Sequence, residues 1–294
     1  MGGETGQARA ALAAMAGAGL LGLAPIGLRL SELGPQATNL WRFLFALPIL
    51  AIWALLSRPN PSRTGIVWLL LAGLLFGLEL SLWAAAVART TIANATLLAN
   101  MTPIFAAAFG WVVFKERLGA GVLGGGATAL SGAVLLTLAR AQAGEGPSGS
   151  AEAGLFGDAL GLSAALGYAG YLLIVRWLGD RVGVGAVMFW ATLSAAAYAL
   201  CLSLALGEAL LPRTLYGWSI LVGLGVITQA GAQGLIAYGV GRLPIVASTV
   251  LLWMQPLSAA VLSWILFGER LGPLAFAGAA LILAGVFVVQ RARQ

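Results

Sequence analysis

The segment MTPIFAAAFGWVVFKERLG at residues 101–119 recurs as MQPLSAAVLSWILFGERLG at residues 254–272. The two copies belong to longer segments, 89–140 and 242–293, which align without a gap and share 20 identities in 52 positions. Both copies are apolar, and each carries a proline within the segment. Duplicated apolar segments with interrupted helices are typical of membrane transporters built from structural repeats. The duplication therefore predicts a transporter that consists of two related halves.

The composition agrees with a chain that lies mostly in lipid. Of the 294 residues, 60% are hydrophobic and only 9% are charged, whereas a soluble domain has about 25% charged residues. The mean hydropathy is +0.95. Apolar stretches of about 20 residues are long enough to cross a bilayer as helices, and they leave no room for a soluble catalytic domain. The ten predicted spans are 10–28, 36–57, 65–88, 91–114, 118–139, 155–175, 184–206, 214–240, 244–267 and 273–290.

The reactive side chains that enzymes use are scarce. The chain has no histidine, and its single cysteine, Cys201, falls in an apolar span and cannot form a disulfide within the chain. We find no nucleophile–base pair and no cluster of metal-ligating residues. The sequence therefore predicts a protein that is not an enzyme, with no cofactor and no metal site.

The basic residues indicate the orientation in the membrane. The net charge is +6, but the basic residues stand singly between spans, which argues against a nucleic-acid partner. One side of the predicted spans carries ten Lys and Arg residues and the other side five. Because basic loops stay in the cytoplasm, we expect both termini to be cytoplasmic. The basic residues on the side of the termini are Arg9, Arg58, Arg63, Lys115, Arg117, Arg176, Arg181, Arg242, Arg291 and Arg293.

A polar stretch rich in glycine and serine divides the chain near its middle. Residues 144–154 have the composition of a flexible linker. They separate a first half, 1–143, from a second half, 155–294, and each half contains five predicted spans. An odd number of spans places the start of the second half on the opposite side of the membrane. We therefore predict an all-α membrane protein of ten transmembrane helices, arranged as two inverted five-helix repeats around a central substrate cavity.

The strongest candidate for substrate binding is Glu79, a carboxylate inside the third span. Ionisable residues within lipid usually face a polar cavity or a partner. Trp83 lies one helical turn later on the same face, and a weaker alignment matches this pair with Gln229 and Gln233 in the eighth span. Two structural readings remain open. Glu79 could pair with Arg42, the only basic residue well inside a span, and the glutamines could hydrogen-bond neighbouring helices.

Pro103 and Pro256 occupy equivalent positions in the fourth and ninth spans. A proline inside a helix removes a backbone hydrogen bond and can bend the helix. The freed carbonyl is tolerated in a membrane where it lines a cavity or finds another partner. We expect the two prolines to act as hinges in gating, and a static bend needed for packing is the alternative.

Further candidates surround the prolines and the sixth span. Asn100 aligns with Trp253, so the two copies present different chemistry, as an asymmetric substrate would require. Methionine offers an adaptable apolar surface, and two tyrosines at i, i+3 spacing share one face of the sixth span. The remaining candidate substrate-binding residues are Met101, Tyr168, Tyr171 and Met254.

The fifth and tenth spans carry glycines in place of polar groups. Gly125 and Gly132 align with Gly278 and Gly285. Small residues let transmembrane helices approach closely. We expect these two spans to form a scaffold or a self-association surface away from the substrate.

The proline-bearing spans, together with Glu-Arg-Leu-Gly at 116–119 and 269–272, resemble the drug/metabolite transporter superfamily, in particular its EamA-type ten-helix carriers. The resemblance covers residues 10–290. It implies two inverted five-helix repeats, with a central cavity formed mainly by helices one, three, four, six, eight and nine. The chain looks most like bacterial inner-membrane exporters of amino acids and related metabolites. This resemblance implies amino acids and related metabolites as substrates and the bacterial inner membrane as the location.

Our leading hypothesis is a secondary carrier that exports amino acids, among them aromatic or other apolar ones, and related small metabolites by alternating access. Its partners would be the small-molecule substrate and membrane lipid, and the protein would be a monomer or a homodimer. Proton coupling would depend on Glu79, and facilitated export is the alternative. A multidrug or cation efflux carrier with Glu79 as counter-ion, a channel, and a non-transporting scaffold or sensor are the other hypotheses.

Overall fold

The computed structural model describes residues 2–114, 119–143, 151–178, 181–240, 254–268 and 272–292. Within these ranges every regular element is helical, which confirms the all-α prediction for this part of the chain. The predicted linker falls largely outside the described residues, as do Trp253 and most of both Glu-Arg-Leu-Gly motifs. The helices are α1 Gly2–Leu21, α2 Leu23–Leu30, α3 Pro35–Leu56, α4 Arg63–Val87, α5 Ile92–Ala99, α6 Thr102–Phe114, α7 Ala120–Ala143, α8 Ala151–Leu178, α9 Val184–Ala205, α10 Leu215–Gly223, the π-helical segment Leu224–Ala232, α11 Gln233–Val240, α12 Met254–Phe267 and α13 Pro273–Ala292.

Helix length and composition make this a multi-pass membrane protein. Six helical stretches among the described residues are long and apolar enough to cross a membrane, and three further apolar helices are shorter. Large apolar side chains lie exposed on the outer helix surfaces, for example Leu55 at 78% and Leu215 at 88%. An exposed apolar surface of this kind is stable in contact with lipid chains. The six long stretches are Arg9–Leu30, Pro35–Leu56, Arg63–Val87, Glu152–Val175, Val184–Ala205 and Leu215–Ile236.

The fourth predicted span is broken into two helices just before its proline. α5 ends at Ala99, α6 begins at Thr102, and Pro103 is the second residue of α6. The interruption of the fourth span therefore lies directly before Pro103, and its predicted role as a hinge stays a prediction. A proline fits at a helix start, where its missing N–H is not needed. In a continuous helix the N–H of residue 103 would donate to the carbonyl of Ala99, and proline has no N–H. The hydroxyl of Thr102 donates to that carbonyl instead, at an O···O distance of 2.9 Å.

In the ninth predicted span the structure describes α12, Met254–Phe267, and Pro256 is the third residue of that range. The first turn of α12 contacts the end of α1, because the Ser258 hydroxyl donates to the carbonyl of Gly19 at 3.1 Å. A Cβ atom on Gly22 would collide with that hydroxyl, so the break between α1 and α2 needs a glycine to let α12 approach.

α7 and α13 form the most extensive helix pair, and their glycines lie at the closest approach. A Cβ atom on Gly132 would lie 2.6 Å from the carbonyl oxygen of Gly278. A Cβ atom on Gly285 would lie 2.5 Å from the carbonyl oxygen of Gly125 and would also collide with the backbone of Ala129. The contacts run in opposite directions along the two helices, which are therefore antiparallel. Close packing by these glycines is as the sequence indicated.

α3 and α9 form a second antiparallel pair that joins the two halves of the chain. At one end, the backbone N–H of Ala37 in the first turn of α3 donates to the carboxylate of Glu208, just after α9, at 2.7 Å. At the other end, the backbone N–H of Gly185 in α9 donates to the hydroxyl of Ser57 at 3.2 Å. In the centre of the bundle, α4 packs against both α8 and α9, and α1 packs against α11.

Candidate functional site

Three polar side chains follow one face of α3, at intervals of three residues. The side-chain amide of Asn39 donates to the carbonyl of Leu80 at 3.1 Å, and that of Gln36 donates to the carbonyl of Ser81 at 3.5 Å. These two bonds hold α3 against α4 directly beside Glu79. The third side chain is Arg42, one turn deeper. Arg42 and Glu79 both lie roughly 5 to 6 Å from the middle of their helices, at a rise of about 1.5 Å per residue.

Arg42 is 2% exposed and its Nε donates to the side-chain oxygen of Gln229 at 3.0 Å. A guanidinium has donors only, so the glutamine oxygen must face it and the glutamine NH₂ must point elsewhere. The Nη1 atom of Arg42 and the Nε2 atom of Gln229 are both buried and have no hydrogen-bond partner among the described residues. Two unpaired donors in the interior are costly, which marks this position as incomplete.

Glu79 is 9% exposed, and its carboxylate accepts no hydrogen bond from the residues that the structure describes. It lies close enough to Arg42 for their opposite charges to attract each other. The hydrogen bond from the Nε of Arg42 goes to Gln229, and the alternative reading of Glu79 as a partner of Arg42 stays open. α8 approaches the backbone of α4 at this point, since a Cβ on Gly167 would lie 3.3 Å from the Cβ of Glu79.

An aromatic wall extends from α8 across α4 to α3. Tyr168 and Tyr171 stack with ring centroids 5.5 Å apart, which agrees with their predicted shared face. The ring of Phe76 lies 5.3 Å from Tyr171 and 6.1 Å from Phe43. Both phenol groups are within electrostatic range of Glu79. The carboxylate of Glu79 therefore lies near a surface made of rings.

Gln229 belongs to the π-helical segment, and its position depends on close packing with α3. A Cβ on Gly225, one turn earlier, would lie 2.5 Å from the Cβ of Phe45 and 3.0 Å from the carbonyl oxygen of Arg42. The glycine lets the segment approach α3 where Arg42 lies. π-helical insertions are frequent at functional sites, and this one carries the side chain that contacts Arg42.

Two carboxylates at one end of the bundle fix the helices that carry the site. Glu208 accepts from the first turn of α3, and Glu32 accepts from the backbone N–H groups of Arg213 and Thr214 and from the Thr214 hydroxyl, at the start of α10. Carboxylates are favourable at helix N-termini. The hydrogen bond from the Thr214 hydroxyl, followed by that from the Arg213 N–H, lowers the pKa of Glu32 below its ordinary value.

Residues 8–138 and 155–291 match the model of the EamA-like transporter family. The chain belongs to the EamA-like transporter family. This confirms the expected superfamily, and it agrees with the prediction that the protein is a transporter and not an enzyme.

Several curated proteins are similar to this EamA-like transporter over most of its length. The pseudopaline exporter CntI of Pseudomonas aeruginosa is 25% identical over 255 residues, which cover 86% of this chain and 85% of that protein. The uncharacterized transporter YwfM of Bacillus subtilis is 29% identical over 88% of this chain and 85% of its own. A probable terminal-alkyne amino-acid exporter of Streptantibioticus cattleyicolor is 28% identical over 67% of this chain and 64% of its own.

A solved crystal structure shares the fold of this EamA-like transporter. Its TM-score is 0.64 and its sequence identity is 20%, with 95% of each chain covered. At this identity the likeness concerns the fold alone.

The structure distributes the other predicted site residues of this EamA-like transporter over different environments. Trp83 is buried in the same apolar core as Phe76 and Tyr171, whereas Met101 is buried in a second core between α5, α7, α8 and α13. Asn100 is half-buried, and its side-chain amide donates to the carbonyl of Thr96 at 2.7 Å. Gln233 and Met254 are half-buried, and Trp253 lies outside the described residues.

Sequence reasoning noticed Arg42 only as a structural partner and did not select Gln36, Asn39 or Phe76. The spacing of Gln36, Asn39 and Arg42 carried a usable signal. Polar residues three apart share one face of a helix, and inside a lipid-spanning segment such a face must be turned toward other protein groups.

Proposed function

We propose that this transporter is a secondary carrier that exports amino acids with apolar or aromatic side chains, and related small metabolites, across a bacterial inner membrane by alternating access. In this proposal both termini are cytoplasmic. The observation that carries it is the group formed by Arg42, Glu79 and Gln229, in which opposite charges lie beside an aromatic wall inside the membrane-spanning helices.

The chemistry of this group suits a zwitterion. An amino acid has a carboxylate, which needs donors such as a guanidinium, and an ammonium group, which needs a carboxylate. A buried site with one charge of each sign receives a substrate of zero net charge without leaving an unpaired charge in lipid. The rings of Phe76, Tyr168 and Tyr171 offer an apolar surface to the substrate side chain.

The proposed inverted repeat finds support in the glycine contacts between α7 and α13. Gly125 aligns with Gly278 and Gly132 aligns with Gly285 in the sequence. In the structure Gly132 faces Gly278 while Gly285 faces Gly125. Such reciprocal contacts are what a two-fold axis between equivalent segments generates. An axis in the membrane plane relates the halves of transporters that open alternately to each side.

The names of the relatives agree with export as the direction of transport. Two of the similar proteins are called exporters, and one of these is called an amino-acid exporter. At identities of 25% and 28% these names support the class of activity, and the substrate of this chain has to be measured.

The test is solute counterflow in proteoliposomes loaded with a panel of amino acids and metabolites, with and without a pH gradient. We expect saturable exchange of amino acids with apolar or aromatic side chains. If no amino acid in the panel exchanged, the proposed substrate class would be wrong. If a pH gradient drove amino-acid accumulation, the carrier would be proton-coupled. Glu79→Gln should then abolish accumulation driven by the pH gradient while amino-acid exchange continues.

A second candidate function is efflux of organic cations, because the Glu79 carboxylate accepts no hydrogen bond from the described residues and could serve as a counter-ion. The same vesicles distinguish the two functions. Glu79→Gln should abolish cation efflux, whereas an exporter of neutral zwitterions should retain part of its exchange.

A further inference from the structure

We infer that Arg42 and Gln229 together bind the carboxylate of the substrate, with the Nη1 atom of Arg42 and the Nε2 atom of Gln229 as the donors. We call these two side chains the carboxylate clamp. This inference rests on the proposed export of amino acids and assigns their carboxylate to Gln229, a predicted substrate-binding residue, together with Arg42, which the sequence suggested only as a structural partner.

The hydrogen bond between the two side chains orients both of them. The Nε of Arg42 is held by the Gln229 oxygen at 3.0 Å, so the planar guanidinium has a fixed orientation. The Nη1 atom and the glutamine NH₂ remain as the free donors, and both are buried without a partner among the described residues. A carboxylate has two oxygens and can accept from both donors at once.

The acceptors near the clamp indicate where the other end of the substrate lies. Glu79 accepts no hydrogen bond from the described residues, and the Oδ1 atom of Asn39 is buried and also without a partner among them. Asn39 lies one turn from Arg42 on α3, and its amide is held at Leu80, next to Glu79. Unpaired donors and unpaired acceptors thus lie side by side, which matches the carboxylate and ammonium groups of one α-amino acid.

A purely structural role for Arg42 explains these contacts less well. An arginine buried in a membrane protein is costly, and its donors are normally all satisfied by neighbouring groups. Here the hydrogen bond to Gln229 satisfies the Nε of Arg42, whereas its Nη1 has no partner among the described residues. A bound carboxylate would complete the pairing and neutralise the charge.

The experiment compares three probes that differ only in their charged groups. L-Phenylalanine has both groups, 3-phenylpropionate lacks the ammonium and 2-phenylethylamine lacks the carboxylate. Binding to the purified full-length protein in nanodiscs is measured by calorimetry. We expect 2-phenylethylamine to bind about tenfold to a hundredfold more weakly than L-phenylalanine, the loss that follows from hydrogen bonds to a charged donor.

The decisive variant is Gln229→Glu, which puts a carboxylate where Arg42 already makes a hydrogen bond. The new carboxylate should occupy the guanidinium and repel the substrate carboxylate, so L-phenylalanine should lose at least tenfold in affinity while 2-phenylethylamine keeps or gains affinity. Arg42→Gln should abolish the preference for the carboxylate-bearing probes. Arg63→Gln removes an exposed guanidinium at the far end of α4 and serves as the charge-matched control, with no change expected.

Each variant is first checked for folding by its thermal unfolding midpoint, and Gln229→Glu keeps the inference testable if Arg42→Gln fails to fold. The clamp is refuted if none of the three probes binds, if wild-type protein binds the amine as tightly as L-phenylalanine, or if Gln229→Glu leaves the preference unchanged. If the protein exchanges amino acids but neither variant changes the preference for L-phenylalanine over 2-phenylethylamine, the clamp is refuted and the proposed function stands. Clamp-dependent binding without any vesicle transport refutes the function and leaves the clamp standing.

Discussion

The contact between α7 and α13 makes a sharp prediction about two glycines. Gly132→Ala and Gly285→Ala should each weaken the fold, because the added Cβ would meet the backbone of the opposite helix. Gly124→Ala on the same helix should not, because nothing lies within 4 Å of a Cβ at that position. Gly124 is therefore a control that matches Gly132 in residue type, helix and substitution, and Gly285 in residue type and substitution.

The size of the effect follows from the distances. A Cβ on Gly132 would lie 2.6 Å from a backbone oxygen, and ordinary contact begins at 3.4 Å, so the helices would have to separate by roughly 0.8 Å. Overpacking of this kind costs about 1 to 3 kcal/mol. Against it stands a gain of about 1 kcal/mol, since alanine is the better helix former. Gly124→Ala should have only the gain, because it causes no overpacking. Gly132→Ala should therefore have an unfolding free energy about 1 to 3 kcal/mol lower than Gly124→Ala.

The assay is thermal unfolding of the purified transporter in one detergent, followed by tryptophan fluorescence. Gly132→Ala and Gly285→Ala should unfold a few degrees below Gly124→Ala, and by similar amounts, because each glycine faces the equivalent backbone of the other helix. Equal midpoints for Gly132→Ala and Gly124→Ala would refute the close approach. A loss in only one of the two variants, Gly132→Ala or Gly285→Ala, would refute the reciprocal arrangement that supports the proposed inverted repeat.

Two further predictions concern the break in the fourth span and the end of the bundle. Thr102→Val should lower the unfolding free energy by about 1 kcal/mol, because it removes the hydroxyl that donates to the Ala99 carbonyl, which Pro103 cannot bond. Thr128→Val removes a hydroxyl that donates to a carbonyl within a regular helix, so it should cost less in the same unfolding assay. Because its pKa is lowered, Glu32 contributes stability that is present above its ordinary pKa and lost as the pH falls through its folded value. Glu32→Gln should therefore lower the unfolding midpoint at pH 7, and the midpoint of the variant should fall less steeply than that of the wild type below about pH 4.5. An equally steep fall in both proteins would contradict the assigned contact with Thr214.

The scaffold of this fold could be anticipated from the sequence because its determinants are local and repeated. An alignment at a constant offset pairs Gly132 with Gly285, and small residues in lipid can do little else than let helices approach. Pro103 lies directly after the point at which the fourth span is broken into two helices. The hydroxyl of Thr102 donates to the carbonyl of Ala99 there, a contact that the spacing of the prolines does not reveal, and the hinge role of Pro103 and Pro256 stays a prediction.

The site was harder to anticipate, because it depends on contacts between helices that are distant in sequence. The sequence selects Glu79 as a candidate because a carboxylate inside a lipid-spanning segment is costly wherever it points. The alignment presented Gln229 as the counterpart of Glu79 and gave no sign that it would contact Arg42. That contact depends on the π-helical segment and on the approach at Gly225, and neither leaves a periodic pattern in the sequence.

The charges of the site break the symmetry that the glycines keep. α9 packs antiparallel to α3 and contains no charged residue, whereas α3 carries Arg42. Glu79 in α4 has only the neutral Gln229 as its counterpart. The first half of the chain therefore supplies both charges, and the second half supplies the amide and the stacked tyrosines. If the two halves rock between equivalent states as proposed, a site with unmatched charges would hold its substrate in one orientation in both states. A substrate with two different ends, such as an amino acid, is the kind that benefits from this division.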